Sequence, residues 1–584
     1  MSVISKASFV QIPSGYGEDN LYSEVPNTTN GDFTFTRAST GTRVNSDGYI
    51  EEVPWNIASY SEDYSSGSWV ATNLSVTTDD TTSPRGDTTA DKITTTSSGV
   101  ETRIRNSSFY QTPSTQHTFS AYAKKGNVNW FLLRNIAYGS SKRAWFDLEN
   151  GVVGTVNSGL TATIEDVGDG WFRCSVTGTT TSSPTQIIDF SSAPNDNDFQ
   201  ADAVGEFCYV WGVQLVKGNA PKTYIKTTDR LDIPRLDYSG GATNPTLLLE
   251  PQRTNLVTYS EDMSNWSVRS PLTLSSQIEA PDGNISAYGY VHSGTTAQYR
   301  CLSYFTYPSG STTGSTFIKK GTKSWIAIRM INSFQYYDIE NIELGSSAGA
   351  QFENATIESF NSEWLRLTLT VTGHGSADNI QVIAAESDGN TSTVTGTSGD
   401  IMFYVWGTQV EQGSLTSYIP TSGTSTTRIK DVCDDGGDAT IFNDAEGVIF
   451  ADIASLSNVG VINRSISLSD GSNTNQIVIR FATTANQITA YITDGGVITA
   501  QLSYTLNNAL NYNKIALKYK VNDVALWVNG TEVATDTSAT MPSGFDELKF
   551  SRADGVNTFE GKCKQLIYFN QALTNDELEE LTTI

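Results

Sequence analysis

Tyr60-Ser61-Glu62-Asp63 returns as Tyr259-Ser260-Glu261-Asp262, and its surroundings return with it. Asn56-Ile57 answers to Asn255-Leu256, Trp69 to Trp266, Lys124-Lys125-Gly126 to Lys319-Lys320-Gly321, and Trp130 to Trp325. Downstream, Phe146-Asp147-Leu148-Glu149-Asn150 matches Tyr337-Asp338-Ile339-Glu340-Asn341, and Trp171-Phe172-Arg173 matches Trp364-Leu365-Arg366. Tyr209-Val210-Trp211-Gly212 matches Tyr404-Val405-Trp406-Gly407. The offset of 191–199 residues exceeds the roughly 20–50 of a solenoid repeat. The chain holds a duplicated domain.

Inside each copy the texture is strand and turn. Thr118-Phe119-Ser120-Ala121-Tyr122-Ala123, Trp130-Phe131-Leu132-Leu133 and Trp171-Phe172-Arg173-Cys174-Ser175-Val176 read as strands, with Asn150-Gly151 and Asp169-Gly170 as turns. No helical period runs through either copy, so an antiparallel sandwich or jelly roll is predicted. The expected organisation is an N-terminal β segment over 1–50 that docks or anchors the chain, then a first repeat over 51–228. A connector over 229–244, a second repeat over 245–425 and a third region over 426–584 follow. That last region is again strand-rich, with an Asn529-Gly530 hairpin turn. The single predicted helix is terminal, where Thr574 and Glu577 make a capping box and Leu573 can staple onto Leu578. Residues 430–584 are expected to be separable, so that their removal leaves a soluble remainder.

The 584 residues carry a formal charge of −26, which disfavours nucleic acid and anionic membranes as partners. No apolar run is long enough to span a bilayer, so no membrane insertion is expected. The first residues lack an apolar signal segment, which predicts synthesis in a cytoplasm without Sec-type export. Five cysteines, an odd number, argue against a disulfide framework. Cys174 and Cys208 align with Leu367 and Phe403, so they read as buried free thiols. Three histidines, unaligned between the copies, read as scattered surface residues.

Two resemblances carry the reading further. Tyr512-Asn513-Lys514-Ile515-Ala516-Leu517-Lys518-Tyr519, Val524-Ala525-Leu526-Trp527-Val528-Asn529-Gly530 and the closing strand from Phe559 to Phe569 resemble a concanavalin-A-like (laminin-G-type) lectin sandwich. Phe35-Thr36-Arg37-Ala38-Ser39-Thr40-Gly41 and Leu247-Leu248-Leu249-Glu250-Pro251-Gln252-Arg253-Thr254-Asn255 resemble bacteriophage virion appendage proteins of the tail-fibre, receptor-binding and head-decoration type. The Tyr-Val-Trp-Gly strands complete that resemblance. It implies an all-β, multidomain fold: two duplicated jelly-roll domains of carbohydrate-binding-module type plus the C-terminal concanavalin-A-like sandwich. It also implies a non-enzymatic protein on a virion surface, made in a bacterial cytoplasm. Partners so implied are other virion proteins, further copies in a homotrimer, and host-surface glycans.

Sugar-binding sandwiches stack flat aromatic faces on pyranose rings. Trp55 and Trp145 lack a Trp in the other copy, and Trp527 precedes a hairpin, so these three are the candidate sugar-binding residues, against a core role for each. No cofactor is expected unless calcium, which wants six to eight hard oxygen ligands. Asp196 and Asp198, and Asp434, Asp435 and Asp438, form the densest oxygen clusters, the alternative being solvated turns. No His-Glu-x-x-His or phosphate loop occurs, so no catalytic residue is assigned. A glycosidase carboxylate pair, as in a polysaccharide-degrading tailspike, stays open from sequence.

Overall fold

The structure is a computed structural model that describes residues 2–53, 56–107, 109, 111, 114–229, 231–458 and 462–584. It is all-β, with one α-helix, Asn575–Thr582, among the described residues. The chain forms two compact units. One is built on Glu52–Arg230 with Ile278–Ser286, and the other on Met1–Glu51, Leu231–Gln277 and Ala287–Ile584.

The first repeat is a sandwich of two six-stranded antiparallel sheets. One runs Val152–Val156, Arg143–Asp147, Trp130–Asn135, Ile188–Ala193, Arg103–Asn106, Trp69–Thr72; the other runs Leu160–Gly168, Trp171–Thr179, Gln116–Lys125, Phe207–Lys217, Ala90–Thr95, Leu74–Thr81. The second repeat has the same order. Its six-stranded sheet runs Glu343–Ala348, Ser333–Asp338, Trp325–Met330, Ala377–Ala385, Arg300–Thr306, Ser267–Arg269. Facing it, Phe352–Ser359, Trp364–His374, Ser309–Lys320, Ile401–Gln412, Ile285–Val291 and Thr273–Leu274 pair in turn.

The repeated motifs close each sandwich. Ser61 Oγ lies 2.8 Å from Tyr224 Oη and accepts from the Thr227 amide at 2.8 Å, tying the start of the repeat to its end. Ser260 does the same with Tyr418 at 2.6 Å and Thr421 at 2.8 Å. The two tyrosines donate to Glu62 at 3.0 Å and Glu261 at 3.1 Å and pack on Trp211 and Trp406. This clasp is why Tyr-Ser-Glu-Asp recurs. The glycine of each Tyr-Val-Trp-Gly sits at a bulge with φ of +61° and +62°, where a Cβ would meet Tyr122 and Phe317.

The third sandwich packs an eight-stranded sheet on the five strands Val497–Thr505, Gln487–Asp494, Gln476–Phe481, Arg464–Ser469 and Glu547–Lys549. Its larger sheet borrows strands: Phe9–Gln11 and Thr246–Leu249 pair with Gly561–Phe569, and Leu236–Asp237 pairs with Thr246–Leu249. Phe9, Phe33, Phe35, Leu236, Leu247 and Leu249 belong to its core. The boundary at 426 therefore does not enclose this sandwich, and 1–50 is no free docking segment. Removing 430–584 would strip those side chains of their core, which corrects the expectation of a soluble remainder.

The segments that carry the phage resemblance meet in a buried ionic junction within this unit. Arg37 pairs with Asp431 at 2.9 Å, Arg235 with the same carboxylate and with Glu250 at 2.6 Å, and Arg428 with Glu250 at 2.9 Å. Ser417 adds its amide and hydroxyl to Glu250, both at 2.7 Å. Burial alone would raise the Glu250 carboxyl, but Arg428 and Arg235 outweigh it and hold it well below the usual carboxylate range. Burial lowers the Arg37 guanidinium to about 10, against the pull of Asp431.

All five cysteines are buried free thiols. Two histidines are not on the surface: His117 and His292 are buried, and burial pushes the His117 imidazole down to about 3.

Candidate functional site

Strand alternation gives each six-stranded sheet a core face and an outer face. In the first repeat the outer face carries four arginines, and each reaches a carboxylate. Arg134 grips Asp189 with Nε at 2.6 Å and Nη2 at 2.7 Å, and Arg105 reaches the same group at 2.9 Å. Glu101 takes Arg103 at 2.8 Å, Arg134 at 3.0 Å and Arg143 at 3.4 Å. Trp145 and Leu132 are buried on this face beside Trp130 and Phe199, and Arg143 stacks on the Phe199 ring at 4.4 Å.

The corresponding face of the second repeat is built otherwise. Arg269 stands opposite Arg300 in register, and Arg329 stands opposite both Gln381 and Phe334. Arg300 Nη1 donates to Gln381 Oε1 at 3.1 Å, Arg269 Nη2 to Tyr304 Oη at 3.3 Å, and Arg329 Nη2 to Asn332 Oδ1 at 3.0 Å. Among the described residues none of the three forms an ion pair with a carboxylate. Burial and then the neighbouring Arg269 and Arg329 lower the Arg300 guanidinium. Phe334 and Tyr336 stack 6.4 Å apart at 14°, with Arg329 over the Phe334 ring at 5.5 Å. Trp325 and Phe334 are half-buried, Arg269 is exposed, and Tyr304 is 56% exposed. The face offers aromatic edges and faces beside fixed cationic donors.

A third polar face lies on the five-stranded sheet of the C-terminal sandwich. Arg480 stacks on Tyr491 at 4.9 Å and stands between Thr489 and Ser465 in register.

The predicted sugar-binding tryptophans are not platforms. Trp145 is 2% exposed and donates its indole N–H to the Asp198 carbonyl at 2.6 Å. Trp527 is 6% exposed and packs with Val448, Phe450 and Leu578. Neither has a free ring face to stack on a sugar, which corrects both assignments. Trp55 lies outside the described residues.

The aspartate clusters are turn caps and latches. Asp196 accepts from the Thr155 amide at 2.7 Å and hydroxyl at 2.9 Å, closing over Gly154 and Trp130. The second repeat has the same latch, Asp388 with Ser346 at 2.8 Å, over Gly345 and Trp325. The Asp198 carboxylate caps the Gln200 amide, and Asp434 accepts from Ser551 at 3.0 Å. Asp435 holds a left-handed φ of +62° beside Lys549 and Glu547. Asp438 accepts from Thr440 at 2.8 Å and from Asn30 at 2.9 Å. These residues do not converge: among the described residues no three His, Cys, Asp or Glu side chains are placed to hold a metal ion. The calcium assignment to Asp196, Asp198, Asp434, Asp435 and Asp438 is corrected accordingly.

Sequence reasoning missed Arg269, Arg300 and Arg329. Only the strand register brings them together.

Neither a protein-family model nor a curated protein matches the chain. Among solved structures it is similar to the CBM40 module of a Ruminococcus gnavus sialidase, at 21% identity and TM-score 0.23, over 26% of this chain and 89% of that one. It is similar to the CBM22 tandem of Paenibacillus barcinonensis Xyn10C, at 11% identity and TM-score 0.18, over 61% of this chain and 98% of that one. Mouse laminin α1 domains LG4-5 match at 10% identity and TM-score 0.18, over 53% of this chain and 96% of that one. At such identities and scores these likenesses carry no functional argument.

Proposed function

We propose that the chain is a non-enzymatic structural component of a bacteriophage particle, a surface appendage of tail-fibre, spike or head-decoration type that attaches to host-surface carbohydrate. The phage assignment is supported by the segments around Arg37 and Glu250, whose charged residues form the buried junction. The carbohydrate assignment is carried by one observation: the second repeat presents Phe334, Trp325 and Tyr304 accessibly on a sheet face lined with arginine donors. Aromatic faces stack on the apolar side of a pyranose while fixed donors take its hydroxyls. Other virion proteins and further copies of the chain, in a homotrimer, are the proposed partners.

The test is a glycan array with whole-cell binding on the full chain. Saturable binding is expected. No binding by array or cell would replace this reading with a purely architectural subunit, which the burial of Trp145, Trp171, Trp406 and Trp527 favours. Loss of polymer viscosity on incubation with a bound polysaccharide would instead make it a polysaccharide-degrading enzyme.

A further inference from the structure

We propose that the outer face of the six-stranded sheet in the second repeat is a site for a carboxylated glycan. Arg269, Arg300 and Arg329 hold the carboxylate, and a sugar ring lies against Phe334. This rests on the carbohydrate reading above and specifies its ligand class.

The first repeat supplies the template. Strand registers equate Arg134 with Arg329 and Arg103 with Arg300, because each pair sits at the same place in the matched sheets. The same registers equate Asp189 with Gln381, since Asp189 faces Arg134 as Gln381 faces Arg329. Counting back from Arg103 and Arg300, Glu101 stands where the second repeat has Gln298. Both carboxylates that the arginines of the first repeat grip are thus neutral amides in the second. Two arginines are retained, and Arg269 joins them where the first repeat has Thr72.

The chemistry of the missing partner follows. A planar guanidinium takes a carboxylate through two parallel N–H donors, as Arg134 takes Asp189. Three guanidiniums without a counter-charge repel one another, and Arg269 and Arg300 stand directly opposite in register; burial first, and then Arg269 and Arg329, lower the Arg300 guanidinium. An incoming carboxylate removes that repulsion. The site sits in a chain of net charge −26, which repels polyanions such as nucleic acid but tolerates a ligand bringing few charges to one local cationic spot. The ring of Phe334 beside the arginines suits a ligand whose anion is carried on a pyranose.

Two sources of such a carboxylate are uronic and sialic acids. The full chain is titrated calorimetrically with oligogalacturonate, with sialyllactose, with their neutral counterparts (methyl-esterified oligogalacturonate and lactose), and with inorganic phosphate. Gln381→Glu, which restores the internal carboxylate of the first repeat, and Arg300→Gln are titrated alongside. At least one acidic oligosaccharide is expected to bind tenfold or more tightly than its neutral counterpart, to weaken with salt, and to lose tenfold or more in both variants. Which acid binds identifies the source. Equal binding of acidic and neutral sugars would overturn this inference and leave the carbohydrate reading standing. Acidic binding untouched by both variants would place the site elsewhere and overturn it, as would phosphate binding as tightly as the sugars. Binding of none of these probes overturns it, and an empty glycan array would then remove the broader reading too.

Discussion

The two repeats share a sheet order, a clasp and an aspartate latch, yet their outer faces differ in how arginine charge is handled. In the first, Asp189 and Glu101 answer four arginines; in the second, Gln381 and Gln298 leave three unanswered. The groups that close the fold recur in both repeats, and the carboxylates of the outer face do not. The buried side of each sheet tolerates little change because a lost methylene or an orphaned polar atom costs stability directly. The outer face is the side that has changed, Gln381 and Gln298 standing where the first repeat has Asp189 and Glu101.

That difference is broken or sharpened most strongly at the matched acceptors. Asp189→Ala leaves Arg134, whose side chain is 6% exposed, without its bidentate partner. Removing one partner of a buried ion pair costs about 3–5 kcal/mol. Gln381→Ala removes a hydrogen bond from the Arg300 guanidinium, worth about 1.5–3 kcal/mol, without leaving an unpaired carboxylate or a bidentate ion pair broken. Hydrogen exchange read separately over Trp130–Asn135 and Trp325–Met330 checks this. Equal losses in the two strands would mean that the faces are not electrostatically distinct.

The clasp tests the likeness instead. Ser61→Ala and Ser260→Ala each remove the side-chain acceptor of the Thr227 or Thr421 amide, while Tyr224 and Tyr418 keep their bonds to Glu62 and Glu261. Each is expected to lower the stability of its own sandwich by about 1–3 kcal/mol, and by the same amount, as read by limited proteolysis in urea. A large inequality would show that one repeat leans on contacts the other lacks.

What could be read from the sequence follows from the same division. Tyr-Ser-Glu-Asp and Tyr-Val-Trp-Gly were legible because a side-chain hydrogen bond and a bulge need those residues and no others. The all-β fold was legible from strand alternation and turns. The Arg37 and Glu250 segments stood out, but their ionic junction joins four stretches far apart in the chain. Trp145 misled because its counterpart is Tyr336: one buried aromatic replaced another, and lack of a matching Trp did not mean exposure. Aspartate-rich runs misled because carboxylates cap turns as readily as they bind cations. The open arginines lie singly among alternating residues on separate strands, and no local pattern announces them.

The smallest expected effect is the part of the first repeat's pH slope that Asp91 contributes. Asp91, on Ala90–Thr95, faces Val210, where the second repeat sets Tyr288 opposite Val405. Burial raises the Asp91 carboxyl to about 6, against the pull of the Asp79 and Tyr64 amides that donate to it. An unfolded Asp titrates near ~3.9. Between those values the folded repeat holds a proton that the unfolded chain releases, so the stability this group contributes is full below ~3.9 and is lost as pH rises through about 6. Glu250 has the opposite sign: its carboxyl is depressed, so its contribution is present at neutral pH and falls away below the usual Glu value of ~4.3. The second repeat also carries Glu411, raised by burial, and so has a slope of its own in the same sense as Asp91. Asp91→Asn mimics the protonated acid at every pH. It should flatten the exchange protection of Phe207–Lys217 between pH 4 and 7 and raise it at pH 7, while Ile401–Gln412 keeps its original profile. If both strands change together, the two repeats open as one cooperative unit and the slope is not the first repeat's own. If neither changes, Asp91 titrates as it does in the unfolded chain and its burial carries no electrostatic cost.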